Sequence, residues 1–193
     1  MFEKTNLVSK IFYINIIAFI FTLAIPNLMF LFAAYPINSN EFSVYRFISY
    51  MFIHSGFTHL IFNMIGLLSF GPLCENDLGE KKFLWLYFIS GVFGAFIQLL
   101  FFNVPLVGAS AAIFALMVYY ALRYPNAELS IIFLPFFSFK AKKLIAFFVI
   151  IEIFSIIFGV QDGVGHIAHL GGAFIGLCGF FINKIDENRK SFR

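Results

Sequence analysis

Long apolar runs constrain this sequence more than any other feature. Six stretches, at about residues 11–34, 57–73, 83–102, 108–122, 144–160 and 166–182, contain a single Asp, Glu, Lys or Arg among them, Glu152. A helix crossing the hydrocarbon core takes about 20 such residues. Charged side chains make up 12% of the 193 residues and apolar ones 61%, whereas a soluble domain carries about 25% charge. So few polar groups cannot cover the surface of a soluble ball of this size. A soluble enzyme, a secreted disulfide scaffold and a disordered chain are excluded. The chain reads as an all-α, multi-pass membrane protein, one six-span domain over residues 1–193. Six spans leave about 70 residues for loops and ends, too few for a soluble domain. The first run is too long for the apolar region of a signal peptide. The 31 Phe read as lipid-facing bulk, and Cys74 and Cys178 form neither a disulfide framework nor a metal set.

Between the spans lie a moderately polar loop (35–56, with Glu41, Arg46 and His54), a polar turn (75–82), a tight turn at Asn103–Pro105, a mixed loop (123–143) and a short turn (161–165), followed by a charged tail from Lys184. Pro26 and Asn27 predict a kink in the first span. No internal repeat is visible, which argues against a transporter built from duplicated halves. An even number of spans puts both ends on one side. With that side cytoplasmic, 12 of the 13 Lys and Arg are inside and only Arg46 is outside, the split expected of short loops. The same split accounts for the net charge of +3 without a nucleic-acid partner, and no nucleic-acid-binding motif is present.

Polar groups inside spans are expensive and mark candidate function. His59 and Asn63 are four apart on the second span and share a face. Ser110 opens the fourth span, and His166 and His169 open the sixth. All three spans enter from the outer side, so these groups fall at one depth. Structural polar residues bonding across helices would scatter in depth. Gly172 and Gly176 make a GxxxG strip on the sixth span, and residues 108–112 are also small, so two backbones can approach there. A Ser and a His within hydrogen-bond reach point to acyl transfer: the imidazole takes the hydroxyl proton as oxygen attacks a carbonyl. The His59 ring N–H, the Asn63 amide and the Ser110 backbone N–H are candidate donors to the resulting oxyanion. Of the two histidines, His169 lies one turn deeper and borders the glycine strip, while His166 sits at the mouth. Glu152 reads as mid-membrane, too deep to orient a histidine, and thus as a structural residue; the expected set is a Ser–His dyad. His54 reads as a loop residue near the interface.

These residues resemble the rhomboid family of intramembrane serine proteases. Gly108-Ala-Ser110 is similar to its GxS nucleophile motif, Ala168-His169-Leu-Gly-Gly172 with Gly176 to its AHxxG…G motif, and His59 with Asn63 to its HxxxN motif. Glu75 and Leu78-Gly79 resemble its acidic turn after the second span. Ala111 stands where many members have Gly, and Tyr45-Arg46 where Trp-Arg is frequent. The resemblance implies Ser110 as nucleophile, His169 as base, and His59 and Asn63 at the oxyanion, with Gly108, Gly172 and Gly176 in support. It implies cleavage in or near transmembrane segments of other membrane proteins, in the bilayer, without metal or cofactor. A bacterial cell membrane is the expected location. Two other classes compete. A catalytically dead rhomboid-like helix binder would typically lack the serine or the histidine, and both are present. A small transporter or channel would have Glu152 as its lone mid-membrane acid, a thin basis for a proton relay.

Overall fold

In a computed structural model, residues 6–131 and 134–191 are described. The elements are α1 (Asn6–Ala24), α2 (Asn27–Phe32), α3 (Arg46–Ser49) running into a 3₁₀ turn (Tyr50–Phe52), α4 (Phe57–Phe101), α5 (Ser110–Arg123), strands β1 (Glu128–Ile131) and β2 (Leu134–Lys140), α6 (Ala141–Ile157) and α7 (His166–Ser191).

The 45 residues of α4 would span about 68 Å if straight, more than twice the hydrocarbon thickness of about 30 Å. Gly66 and Gly94 would then lie about 42 Å apart. Both instead touch one turn of α5: a methyl on Gly66 would lie 2.7 Å from Ile113 Cγ2, and one on Gly94 2.8 Å from Ala111 Cβ. The chain therefore doubles back at Gly79, whose φ of 74° and ψ of 161° are not helical and belong to a region open essentially to glycine alone.

That reversal gives the bundle two distinct ends. At the end holding Gly79, the Glu75 carboxylate accepts from the N–H groups of Leu7 (3.2 Å) and Val8 (3.1 Å). It thereby satisfies first-turn donors of α1 that have no acceptor within the helix. Asp77 takes Arg123 Nε at 2.9 Å and the Tyr119 hydroxyl, Arg123 also reaches Glu187 at 2.9 Å, and Lys82 reaches Asp186 at 2.8 Å. The more exposed Lys82–Asp186 and Arg123–Glu187 pairs contribute about 0–1 kcal/mol each, while the Asp77 carboxylate is largely buried. Their main effect is to fix which helix ends meet: the start of α1, the bend of α4 and the ends of α5 and α7.

The core is α5, buried on nearly every side and packed against both α4 and α7. Along α1, Val8, Ile11, Asn15, Phe19 and Thr22 are buried. Their spacing of three and four makes one inward stripe, and Tyr13, Ile17 and Ile20 face outward. α5 and α7 run parallel. A methyl on Gly172 would collide with the Ala111 carbonyl, and one on Gly176 with the Ala115 carbonyl. Farther along, Asn183 Nδ2 donates to the Tyr119 hydroxyl at 3.1 Å.

Several expectations change. The run at 11–34 is interrupted at Pro26, where a kink was expected: α1 starts at Asn6 and ends at Ala24, and the short α2 follows. Pro26 lacks an N–H and its ring obstructs the carbonyl four residues earlier, so α1 cannot continue through it. Among the described residues the named elements are helical except for an antiparallel hairpin, with Glu128 opposite Lys140 and Leu129 opposite Phe139, inside the segment expected to be a mixed loop. In a two-stranded hairpin both strands are edges, so β2 tolerates Pro135. Three helices, α1, α4 and α7, are long and apolar enough to cross a membrane. Cys74 is buried with its thiol 3.5 Å from the Leu116 carbonyl. Lys4 and Arg193, counted in the charge split, lie outside the described residues.

Alanine at Gly79 would force a side chain into backbone space that costs about 1–3 kcal/mol for non-glycine residues. Gly79→Ala is expected to lower the thermal midpoint of the detergent-solubilised protein, and an unchanged midpoint would mean the reversal does not depend on that conformation.

Candidate active site

The site lies at the end of the bundle away from Gly79. Its floor is the start of α5. The preceding loop is pinned by paired backbone bonds between Ala34 and Leu106 (2.9 and 2.8 Å) and by Gly108 N–H donating to the Tyr50 carbonyl at 2.9 Å. The Tyr50 hydroxyl in turn donates to the Gly91 carbonyl at 2.7 Å. The long first loop is fixed by Arg46, whose Nη1 donates to the Phe30 (2.6 Å) and Ala33 (3.2 Å) carbonyls at the end of α2. Beside it the Tyr45 hydroxyl donates to the Leu31 carbonyl at 2.8 Å. These bonds supply carbonyls that α2 itself leaves without donors.

Ser110 is the first residue of α5, so the N–H groups of its first turn have no intrahelical acceptor and carry the positive end of the helix dipole. Ser110 Oγ lies 2.7 Å from His169 Nε2. Phe114, one turn along α5, stacks on the His169 ring at 4.4 Å and 12°. Ser110 is half-buried and His169 buried.

His59 and Asn63 stand on the first turns of α4. Ser55 approaches His59 Nδ1 with its backbone N–H at 3.4 Å and its Oγ at 3.0 Å. Because a backbone N–H can only donate, Nδ1 is the acceptor and the ring proton sits on Nε2. That nitrogen faces Gly108, where a methyl would lie 2.7 Å from it. Gly108 also has φ of 110°, so both space and backbone require glycine. The Asn63 amide nitrogen lies 3.9 Å from the same point and donates to the His59 carbonyl at 2.8 Å. The structure thus brings Ser110, His169, His59, Asn63 and Gly108 together, with Gly172 and Gly176 beneath the Ser–His pair.

Two residues have surroundings other than those expected. Glu152 is not remote from the histidines: Oε1 is 3.0 Å from His169 Nδ1, and Oε2 is 2.5 Å from His166 Nδ1. The depth error is geometric. α6 ends at Ile157, earlier than the apolar run does. Glu152 is thus only five residues from the helix end that faces the start of α7, and its side chain reaches on toward it. His54 does lie in the loop before α4, but it is buried, 1% exposed, beneath His59, with ring centroids 5.1 Å apart. Burial, followed by the neighbouring His59, pushes its pKa down to about 4, so it is neutral at pH 7. The sequence reading also passed over Gln98, buried in α4, whose Oε1 accepts the Ala168 N–H at 3.1 Å and so caps the first turn of α7. A polar side chain in an otherwise apolar run was the available signal. Among the described residues no cluster of three His, Cys, Asp or Glu could hold a metal ion.

A family model described as a Rhomboid domain matches residues 41–184. The chain is 32% identical over 131 residues to the presenilin-associated rhomboid-like protein A, mitochondrial, of Danio rerio, covering 65% of this chain and 34% of that protein. It is 33% identical over 141 residues to the RHOMBOID-like protein 6, mitochondrial, of Arabidopsis thaliana, covering 72% and 43%. It is 32% identical over 145 residues to the rhomboid protease GlpG of Yersinia pestis (strain Pestoides F), covering 75% and 50%. The chain thus spans a third to a half of the length of these relatives. With mitochondrial names prominent among them, the expectation of a bacterial cell membrane gains no support.

Gly108→Ala would place a methyl against His59 Nε2 in a left-handed backbone. The expected outcome is a loss of about 1–3 kcal/mol in stability, read as a lower thermal midpoint, together with slower labelling of Ser110 by a fluorophosphonate probe. Labelling at the wild-type rate would show that the Gly108 contact does not shape the site.

Proposed function

This chain belongs to the rhomboid family, and from that premise we propose that it is an intramembrane serine endopeptidase. The observation that carries the reading is the 2.7 Å approach of Ser110 Oγ to His169 Nε2 beside the helix N-terminus. In this reading Ser110 attacks the carbonyl carbon of a peptide bond as its proton passes to His169 Nε2. The carbonyl oxygen becomes an oxyanion, met by the N–H groups at the start of α5, by His59 Nε2–H and by the Asn63 amide. His169 then gives the proton to the departing amine. A water, deprotonated by the same imidazole, hydrolyses the acyl-enzyme and returns Ser110. Every step is proton transfer and acyl transfer.

The substrates are transmembrane segments of other membrane proteins. The chain is itself a membrane protein, and we assign it six passes: α1, the two limbs of α4, α5, α6 and α7. Both ends then lie on the side of the Lys and Arg clusters, the cytoplasmic side in a plasma membrane. α5, with 14 residues, is only about 21 Å long. If its Arg123 end is held at the charged face, Ser110 lies about 9 Å short of the opposite hydrocarbon boundary. That recess supports cleavage just inside the membrane, with water entering from the near side. A peptide bond within a helix is shielded, so the scissile region is one that unwinds easily, rich in small or helix-breaking residues.

The decisive measurement is cleavage of a model single-pass substrate together with fluorophosphonate labelling. Ser110→Ala and His169→Ala are expected to lose both, whereas His166→Ala retains substantial activity. A Ser110→Ala variant that still cleaves would sink the enzymatic reading. His59→Ala and Asn63→Ala are expected to lower kcat more than they change KM. Loss of one oxyanion donor costs about 10²–10³ in rate in a soluble serine protease, and an unchanged kcat in both would remove them from the site. Terminal tags at both ends are expected to stay inaccessible to an impermeant reagent in intact cells, and reaction of either tag from outside would overturn the six-pass assignment.

A further inference from the structure

Within the protease reading, on which this step rests, we infer that Glu152 is a positioning residue for His169. Its carboxylate holds the ring through Nδ1, so that the unprotonated Nε2 faces Ser110. The site is then a Ser110–His169–Glu152 line rather than a pair.

Three observations carry the inference. The first is the line of contacts itself, Ser110 Oγ to His169 Nε2 at 2.7 Å and His169 Nδ1 to Glu152 Oε1 at 3.0 Å. The second contact is bent from the N–H direction. Catalytic hydrogen bonds in free enzymes are often poorly aligned and tighten with substrate. The second is the cost of the carboxylate. Glu152 is 7% exposed in a helix whose residues from Leu144 to Ile157 are otherwise apolar or Ser155. An acid in such a place is expensive and calls for a partner, and its two oxygens address two imidazoles. The third is that the acid is itself held. His166 Nδ1 takes Oε2 at 2.5 Å, and Asp162 Oδ1 lies 3.2 Å from His166 Nε2. A chain of contacts thus runs from the turn before α7 to the serine.

The chemistry gives this a purpose. A neutral imidazole carries its proton on either nitrogen. With the proton on Nε2 it would point a donor at Ser110 and could not act as a base. Stacking on Phe114 fixes the plane of the ring but not its tautomer, and an anion at Nδ1 fixes the tautomer. It also favours the imidazolium that forms as Ser110 attacks. In soluble Ser-His-Asp proteases, replacing the acid by its amide lowers kcat about 10⁴-fold through the wrong tautomer.

The test compares wild type, Glu152→Gln and Glu152→Asp as purified full-length proteins in detergent. It measures kcat and KM on a single-pass substrate, the rate of fluorophosphonate labelling at Ser110, and the thermal midpoint. Glu152→Gln keeps the shape and removes the charge. It is expected to lower kcat and the labelling rate by at least about 10²-fold, with KM changed less than about twofold because Glu152 is buried behind the His169 ring. Glu152→Asp restores the anion one methylene farther back. It is expected to recover at least tenfold over Glu152→Gln yet stay below wild type. A folded Glu152→Gln with wild-type kcat and labelling overturns the inference. If Glu152→Gln does not fold, a folded Glu152→Asp at full wild-type kcat overturns it equally. Wild type that cleaves through Ser110 while Glu152→Gln keeps pace refutes the positioning role alone. Wild type that neither cleaves nor labels refutes the protease reading, and the positioning role with it.

Discussion

The backbone contact between α5 and α7 is what the rest of the structure depends on. Gly172 and Gly176 lie against the Ala111 and Ala115 carbonyls with no room for a methyl group. In lipid there is no hydrophobic drive to press helices together, so association relies on close packing of small residues. Gly94 of α4 and Ala168 of α7 close the same contact from a third helix. The approach sets the height of His169 against Ser110. One larger residue in the strip would push His169 away from Ser110, which it approaches at 2.7 Å. Ala111 fits the strip with only 2% of its surface exposed, so its methyl is absorbed where the family often has Gly.

Charge and small residues divide the work between the two ends of the bundle. At the Gly79 end, Asp77, Arg123, Glu187, Lys82 and Asp186 tie the helix ends together. At the other end several polar side chains tie down the backbone. Arg46 closes the end of α2, Gln98 caps α7, and Gly108 hangs from Tyr50. The loops around Ser110 are thus held by hydrogen bonds, which are stronger where water is scarce. Preorganisation of this kind is what an oxyanion site requires, since its donors must not reorient during the reaction.

Titratable groups surround Ser110 and His169. His54 is forced neutral by burial beneath His59, so it adds no positive charge there. Ser55 settles the tautomer of His59. Glu152 occupies the corresponding place for His169, with His166 behind it.

The sequence by itself determined the membrane class, from twelve per cent charge and apolar runs of spanning length. It pointed to the family through short motifs: a glycine two residues before Ser110, and a histidine beside a glycine strip. These features are local, and local geometry is written in residue type and spacing. Depth and contact are not. Glu152 was placed at the wrong level because an apolar run does not mark where a helix stops, and α6 stops at Ile157. The burial of His54, the hairpin around Pro135 and the capping by Gln98 likewise depend on which chain lies opposite, at sequence separations that no periodicity reports. Only the tertiary structure brought Glu152, 17 positions before His169, onto the far side of its ring, because only the packing of α6 on α7 sets the distance between them.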